Sequence, residues 1–276
     1  YNYPRNKEEK NLRNTARKGQ TKHMDINQVI TGELGVKRWQ VDAAVKLIDE
    51  GNTIPFIARY RKEVTGTLDD AQLRTLHERL MYLRNLEEKK EQVLASIEEQ
   101  GKLTEELKKQ ILAAETMVVV EDLYRPYRPK RRTRAMIAKE KGLEPLAALI
   151  TLQKAEKPIE VYAEEYVNPE KEVKSVKEAI DGAKDIIAES VSDEADYRSW
   201  IRKATVQHGK VISQAKDEKA ESVYEMYYDF EEPVTKLAGH RVLALNRGEK
   251  EKFLTVKIEA PQDDILRYLE KKMIHS

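Results

Sequence analysis

Cysteine is absent from the chain, which excludes disulfides, thiolate nucleophiles and cysteine-ligated metals. There is no apolar run near the roughly 18 residues of a membrane-spanning helix and no signal-peptide h-region, so the chain reads as soluble, cytoplasmic and without a membrane partner. Gly-x-x-x-x-Gly-Lys-Ser/Thr, Gly-x-Gly-x-x-Gly and Gly-x-Ser-x-Gly are all missing, and neither a nucleotide loop nor a nucleophile elbow is signalled. His23, His77, His208, His240 and His275 are scattered, no two of them three or four apart, which leaves a histidine zinc site unsupported. Asp69-Asp70 and Asp263-Asp264 fall where helices are predicted to begin, a place that favours carboxylates through the helix dipole. They do not form a magnesium-binding cluster. No catalytic, cofactor-binding or metal residue is assigned, and the chain reads as a non-enzyme. A dominant charge sign is lacking too: 50 Lys and Arg against 49 Asp and Glu leave a net +1. No global field draws it to nucleic acid or acidic lipid, so any such contact must come from a local patch.

What the chain has in quantity is charge of both signs on helical spacing. Charged residues make up 36% and hydrophobic residues 40%, the balance of amphipathic helices with solvated outer faces. Its 276 residues suffice for two domains, each with a core. Residues 1–23 stand apart. Arg5, Lys7, Lys10, Arg13, Arg17, Lys18 and Lys22 face only Glu8 and Glu9, and Leu12 is the one sizeable aliphatic side chain, too little burial to offset the entropy of ordering. The chain opens on Tyr1 rather than Met. These residues are therefore read as a disordered tag or upstream piece ahead of a start at Met24, or as a basic arm touching nucleic acid.

Residues 24–120 read as a helical subdomain. Val41, Ala44, Val45 and Ile48 share a face, and Gly51 sits where a C-cap takes positive φ. A short helix follows, with Pro55 in its first turn and Ile54, Phe56, Ile57 and Tyr60 predicted to pack on the helix before it. Its Arg59, Arg61 and Lys62 form one basic cluster, and the two short helices with a tight turn resemble a helix-turn-helix. Thr67 is predicted to cap the longest helix. Leu73, Leu76, Leu80 and Leu83, resumed by Leu94 and Ile97, make its stripe, which turns polar at Glu87 and Lys90 and so argues against a long coiled-coil dimer. Gly101 and Thr104 bound the return helix of an antiparallel hairpin over residues 68–115.

Residues 121–134 form a basic strap, Glu-Asp-Leu-Tyr-Arg-Pro-Tyr-Arg-Pro-Lys-Arg-Arg-Thr-Arg. Pro126 and Pro129 bias it to extended backbone. Arg125, Arg128, Lys130, Arg131, Arg132 and Arg134 alternate with Tyr124 and Tyr127, which suits phosphate contact with base stacking. It suits equally a strap whose tyrosines pack under helices while the arginines meet water or acids. Residues 135–276 read as a second helical subdomain. Thr133 caps a helix stopped by Gly142, and Leu143 and Pro145 open a core helix that offers base edges nothing but Gln153. Further helices are expected near 159–167, along Val173, Val176, Ile180, Ala183, Ile187 and Val191, after Ser192 burying Trp200, Ile201 and Ala204, over 221–230, from Pro233 to about Arg247, and over 263–273. Residues 253–258 alternate as a strand, with pairing to 241–245 as a hairpin left open.

Three stretches carry a family resemblance. Gly51-Asn-Thr-Ile-Pro-Phe-Ile-Ala-Arg-Tyr-Arg-Lys-Glu-Val-Thr-Gly66, the strap with Gly142-Leu-Glu-Pro-Leu146, and His240-Arg-Val-Leu-Ala-Leu-Asn-Arg-Gly-Glu249 resemble, in this order, signatures of the bacterial Tex family of transcription accessory proteins. The resemblance covers about residues 24–274. It implies a cytoplasmic, non-catalytic factor of transcription that binds RNA or DNA and works beside the transcription machinery. It also implies later YqgF-type, helix-hairpin-helix and OB-fold domains, and places most of the family's nucleic-acid affinity in the last of these. The expectation is a mainly α, multi-helical scaffold with helix-turn-helix-like elements, a helical hairpin and a small β element near the C-terminus. Its phosphate contacts are expected at the strap cations together with Arg59, Arg61 and Lys62. The competing expectation is a protein-interaction scaffold that docks other domains or RNA polymerase and binds no nucleic acid itself.

Overall fold

The computed structural model describes residues 24–275, so the expectation for residues 1–23 lies outside the described residues. The chain divides into two compact units, one up to Val120 and one from Glu121.

The first unit is built along one long helix. Its elements are α1 (Ile26–Leu34), α2 (Arg38–Asp49), α3 (Ile54–Tyr60), α4 (Asp70–Glu99) and α5 (Glu105–Ala113), with α6 (Met117–Tyr124) beginning at its end. Leu73, Leu76, Leu80, Leu83 and Leu86 of α4 are buried with Ile30, Val41, Ala44, Ile57 and Ile111. Each of these side chains larger than alanine contributes about 1.5–3 kcal/mol through removal from water. The predicted hairpin is present as α4 and α5, with Gly101 at φ +66° in the turn and Thr104 Oγ1 accepting from Leu107 N.

Three expectations for this unit are corrected. Asp69, not Thr67, caps α4: its carboxylate accepts from Gln72 N at 2.7 Å while Gln72 Oε1 accepts from Asp69 N at 3.1 Å, a reciprocal box that satisfies two helix-end groups. The stripe of α4 does not break at Lys90. It runs on through Leu86, Lys90, Val93 and Ile97, and Lys90 is only 1% exposed. Its Nζ donates to the Leu112 carbonyl at 3.0 Å and pairs with Glu87 Oε1 at 2.9 Å, so the cation ties α4 to the C-terminal turn of α5. On α3, only Ile57 is buried, whereas Phe56 and Tyr60 face solvent.

The second unit contains the end of α6, then α7 (Arg134–Glu140), α8 (Glu144–Leu152), α9 (Ile159–Ala163), α10 (Val176–Asp193) and α11 (Ala195–His208). Its helical core gathers Ala138, Leu143, Leu146 and Ala147 against Ala179 and Ala183 of α10. Small residues set the spacing: a Cβ at Gly182 of α10 would lie 2.4 Å from Leu143 Cδ1. The chain then forms β1 (Lys210–Ala215), β2 (Asp229–Pro233), α12 (Gly239–Lys250), β3 (Leu254–Glu259) and α13 (Gln262–Met273). The sheet is antiparallel in the order β2-β1-β3, and Ser213 lies opposite both Phe230 and Val256.

The mainly helical class and the small β element near the C-terminus are as expected, and β3 matches the predicted strand. The helix expected over 221–230 is absent. That stretch holds a 3-10 turn, Glu225–Tyr227, before β2, and Val223 is 86% exposed. Pro233 ends β2 and caps only a 3-10 turn, Val234–Lys236, the α-helix expected from it beginning at Gly239 as α12; 241–245 lies inside α12, so β3 pairs with β1. Burial of Ser213 between Val211 and Ala215 removes the alternation that would have marked β1; its Oγ is satisfied by the Tyr227 carbonyl at 2.5 Å. Trp200 is half-buried, its ring stacked on Tyr268 at 3.9 Å between centroids. No helix among the described residues is long and apolar enough to cross a membrane.

Candidate nucleic-acid interface

The first basic cluster sits at the C-terminal end of α3, and its uncharged neighbours explain how it is held. Asn52 Nδ2 donates to the Leu47 carbonyl at 2.8 Å, closing α2, and Pro55 presets the first turn of α3. After α3 the chain turns back on itself through Thr65 N to the Arg61 carbonyl at 3.1 Å and Thr67 N to the Lys62 carbonyl at 2.8 Å. Thr65 is fully buried. Gln40 Nε2 reaches from α2 to the Gly66 carbonyl at 2.8 Å. Gly66 has φ +61°, and a Cβ there would lie 2.3 Å from Trp39 Cη2, so a side chain is excluded both by conformation and by space. The apolar and glycine positions of the motif therefore fix the backbone.

What remains points outward. Arg59, Arg61 and Lys62 are exposed, and among the described residues no carboxylate pairs with any of them. Phe56 is 36% and Tyr60 60% exposed, with ring centroids 5.3 Å apart. The Arg61 guanidinium lies 5.3 Å from the Phe56 centroid and that of Arg59 6.0 Å from the Tyr60 centroid, within cation–π range. Cations interleaved with solvent-facing rings, the pattern sought in the strap, occur here.

The strap is differently occupied. Its first four residues are the last turn of α6, not extended chain. The helix ends in a turn in which Arg125 N bonds the Glu121 carbonyl at 3.0 Å and Arg128 N the Tyr124 carbonyl at 3.0 Å. Two buried aspartates then clip it down. Asp122 Oδ1 accepts from Arg198 Nε and Oδ2 from Arg202 Nη2, both at 2.8 Å. Asp193, at the C-terminal end of α10, takes Arg125 Nε on Oδ1 at 3.0 Å and Lys130 Nζ on Oδ2, with Glu189 at 3.4 Å from the same ammonium. A lone buried carboxylate is costly and a multiply bonded one is not, so these contacts fix the strap against the start of α11 and the end of α10.

The other strap cations remain accessible. Arg132 pairs with Glu140 at 2.8 Å, Arg128 and Arg134 stand at 3.8 and 3.7 Å from Glu121 and Asp185, and all three side chains are mostly exposed. Arg131 is exposed and has no carboxylate partner among the described residues. Twelve of the sixteen arginines among the described residues are ion-paired. Of the four that are not, Arg59, Arg61 and Arg131 lie in the two clusters; the fourth is Arg247. Sequence reasoning missed Asp122, Asp193, Arg198 and Arg202. The available signal was an aspartate one residue into a basic motif and another at the end of an otherwise apolar helix face. Among the described residues no group of three His, Asp or Glu side chains is placed to hold a metal.

Residues 24–98 match the family described as the Tex-like protein N-terminal domain, and residues 153–275 the one described as Tex central region-like. The chain is 49% identical to the uncharacterized protein YdcI of Bacillus subtilis, over 90% of this chain and 35% of that protein. It is 44% identical to the transcriptional accessory protein Tex of Neisseria gonorrhoeae, over 87% of this chain and 32% of the other. It is 30% identical to S1 RNA-binding domain-containing protein 1 of Homo sapiens, over 88% of this chain and 25% of the other. The chain thus spans about a third or less of the length of the curated relatives it matches.

Proposed function

We propose, from the premise that this chain belongs to the Tex family of transcription accessory proteins through its N-terminal and central regions, that it is a non-catalytic scaffold with two phosphate-contacting surfaces for RNA or DNA. One is Arg59, Arg61 and Lys62 at the end of α3. The other is Arg128, Arg131, Arg132 and Arg134 on the strap. Arg125 and Lys130, engaged by Asp193, act in holding the strap. The observation that carries this reading is the distribution of unpaired arginines. In a chain of net charge +1 whose other arginines are almost all neutralised, Arg59 and Arg61 of α3 and Arg131 of the strap have no carboxylate partner among the described residues, and Arg128, Arg132 and Arg134 stay mostly exposed beside theirs. Uncompensated cations are what counterion release requires. The RNA-binding and transcriptional names of two relatives point the same way.

The buried clip at Asp122 and Asp193 favours a second reading, in which the strap is purely structural and the region docks other domains or RNA polymerase. One experiment separates the two. Binding of the full chain to labelled single-stranded RNA and duplex DNA is measured across salt beside two variants, Arg59→Gln/Arg61→Gln/Lys62→Gln and Arg128→Gln/Arg131→Gln/Arg132→Gln/Arg134→Gln. Each neutralised phosphate contributes a slope in log K against log salt of about −0.9 on duplex and about −0.7 on a single strand. The triple variant is expected to lose up to about 2 of that slope on RNA. Wild-type binding matched by both variants at every salt concentration assigns the region to docking alone.

A further inference from the structure

We propose that the end of α3 is a site for single-stranded nucleic acid, in which unpaired bases stack on Phe56 and Tyr60 while Arg59, Arg61 and Lys62 hold the flanking phosphates; the inference rests on the phosphate-contact reading above and names the class of strand. Residues 56 and 60, four apart, share one face of α3. Their rings lie 5.3 Å apart and are open to solvent although Ile57 beside them is buried. The chain has only three phenylalanines, and one of them, Phe56, is left 36% exposed beside the 60% exposed Tyr60. The structured turn at Thr65 and Gly66 holds this edge in place, so no ordering is needed before a ligand arrives.

Charge complementarity selects the occupant. The acid nearest in sequence, Glu63, forms no ion pair with Arg59, Arg61 or Lys62, which leaves a polyanion as the natural counterpart. A duplex presents phosphates but hides its base faces in the stack, so Phe56 and Tyr60 would gain nothing from it. A single strand offers both, and guanidiniums already placed over the rings extend the stacking surface.

The test uses the full chain with a labelled oligouridine, a duplex of equal charge, and a polyglutamate peptide at matched ionic strength. Tyr60→Leu keeps the charge and the apolar bulk, at a position exposed enough to spare the fold; Phe56→Leu is the second variant and Tyr60→Trp the rescue. Stacking of a base on an aromatic side chain corresponds to about a 5- to 150-fold change in affinity. Loss in that range for Tyr60→Leu on oligouridine, with its salt slope and its duplex binding unchanged and with Tyr60→Trp restoring affinity, is the expected result. Equal loss on single strand and duplex, or no loss in either Leu variant while the Arg59/Arg61/Lys62 variant still weakens binding, overturns the single-strand assignment and leaves the phosphate reading standing. No loss in any of these variants overturns both. Polyglutamate binding as tight as oligouridine binding, and lost in the same variants, overturns the assignment in favour of an acidic protein partner.

Discussion

Replacing Asp122 by Asn tests the strap's anchorage without changing its size. The carboxylate is 8% exposed and accepts 2.8 Å bonds from Arg198 and Arg202. Asn keeps one carbonyl oxygen for one guanidinium and turns an NH₂ toward the other, so one charge-assisted bond is lost and the remaining one keeps only the guanidinium's charge. A hydrogen bond to a charged group contributes about 1.5–3 kcal/mol. The two arginines are partly exposed, and water takes up the released guanidinium, which keeps the cost below the roughly 3–5 kcal/mol of a fully buried broken pair. About 2 kcal/mol is expected, or about 4–8 °C in the melting temperature of a unit this size. The chain has two tryptophans, one in each unit, so urea unfolding of a Trp39→Phe background followed by Trp200 fluorescence reports on the second unit. The midpoint should fall at constant m-value. In an Arg202→Ala background the same substitution should cost at least about 1 kcal/mol less, since contacting pairs couple. A shift under about 0.5 kcal/mol, the size of an ordinary surface substitution, would falsify the clip.

Lys90→Met should destabilise the first unit by about 2–4 kcal/mol, because it takes the donor from the Leu112 carbonyl and the cation from beside the Glu87 carboxylate. Adding Glu87→Gln should recover part of this, both read from Trp39 fluorescence in a Trp200→Phe background. Acid should weaken the same unit. The side-chain hydrogen bonds from Arg38 hold Asp25 and Asp42 below the usual carboxylate range, and those from Arg84, at 2.7 and 2.9 Å, do the same for Asp49. A carboxyl whose folded pKa is depressed adds stability above its unfolded value of about 3.9, and that stability is lost as pH falls through the folded value. The urea midpoint should therefore stay level with respect to these groups from neutral pH to about 5 and decline below about 4. Asp49→Asn should flatten part of that decline, by less than about 1 kcal/mol for so exposed a pair.

The helical elements were legible where one period ran long enough: the leucines of α4, the Gly101 and Thr104 punctuation of the hairpin, the Thr133 cap and the Pro145 start. The errors share a cause, which is that tertiary packing decided what local pattern left open. Lys90 read as a solvated break, but its stem fits the seam and its ammonium finds the Leu112 carbonyl of α5, a partner 22 residues away in sequence. β1 carries a buried serine and β2 two glutamates, so neither shows a strand's alternation; the sheet exists because the side chains of Tyr224, Tyr227, Leu245 and Leu254 cover it from outside those strands.

The candidate site shows the same limit in its charges. Six strap cations counted along the sequence look like one patch, yet the acids that decide their fate lie far off: Asp193 is 68 residues from Arg125 and 63 from Lys130. Proximity in sequence measured the density of positive charge and said nothing about its neutralisation. The α3 cluster, with three cations instead of six, ranked second on that count and first on uncompensated charge, because α3 is short, ends in a turn fixed by Gln40, Thr65 and Gly66, and has no acid among the described residues within pairing reach. A cation contributes to polyanion binding only to the extent that its field is uncompensated. The shorter cluster is thus the stronger candidate for phosphate contact, and the strap's conspicuous arginines divide between fastening the second unit and facing solvent.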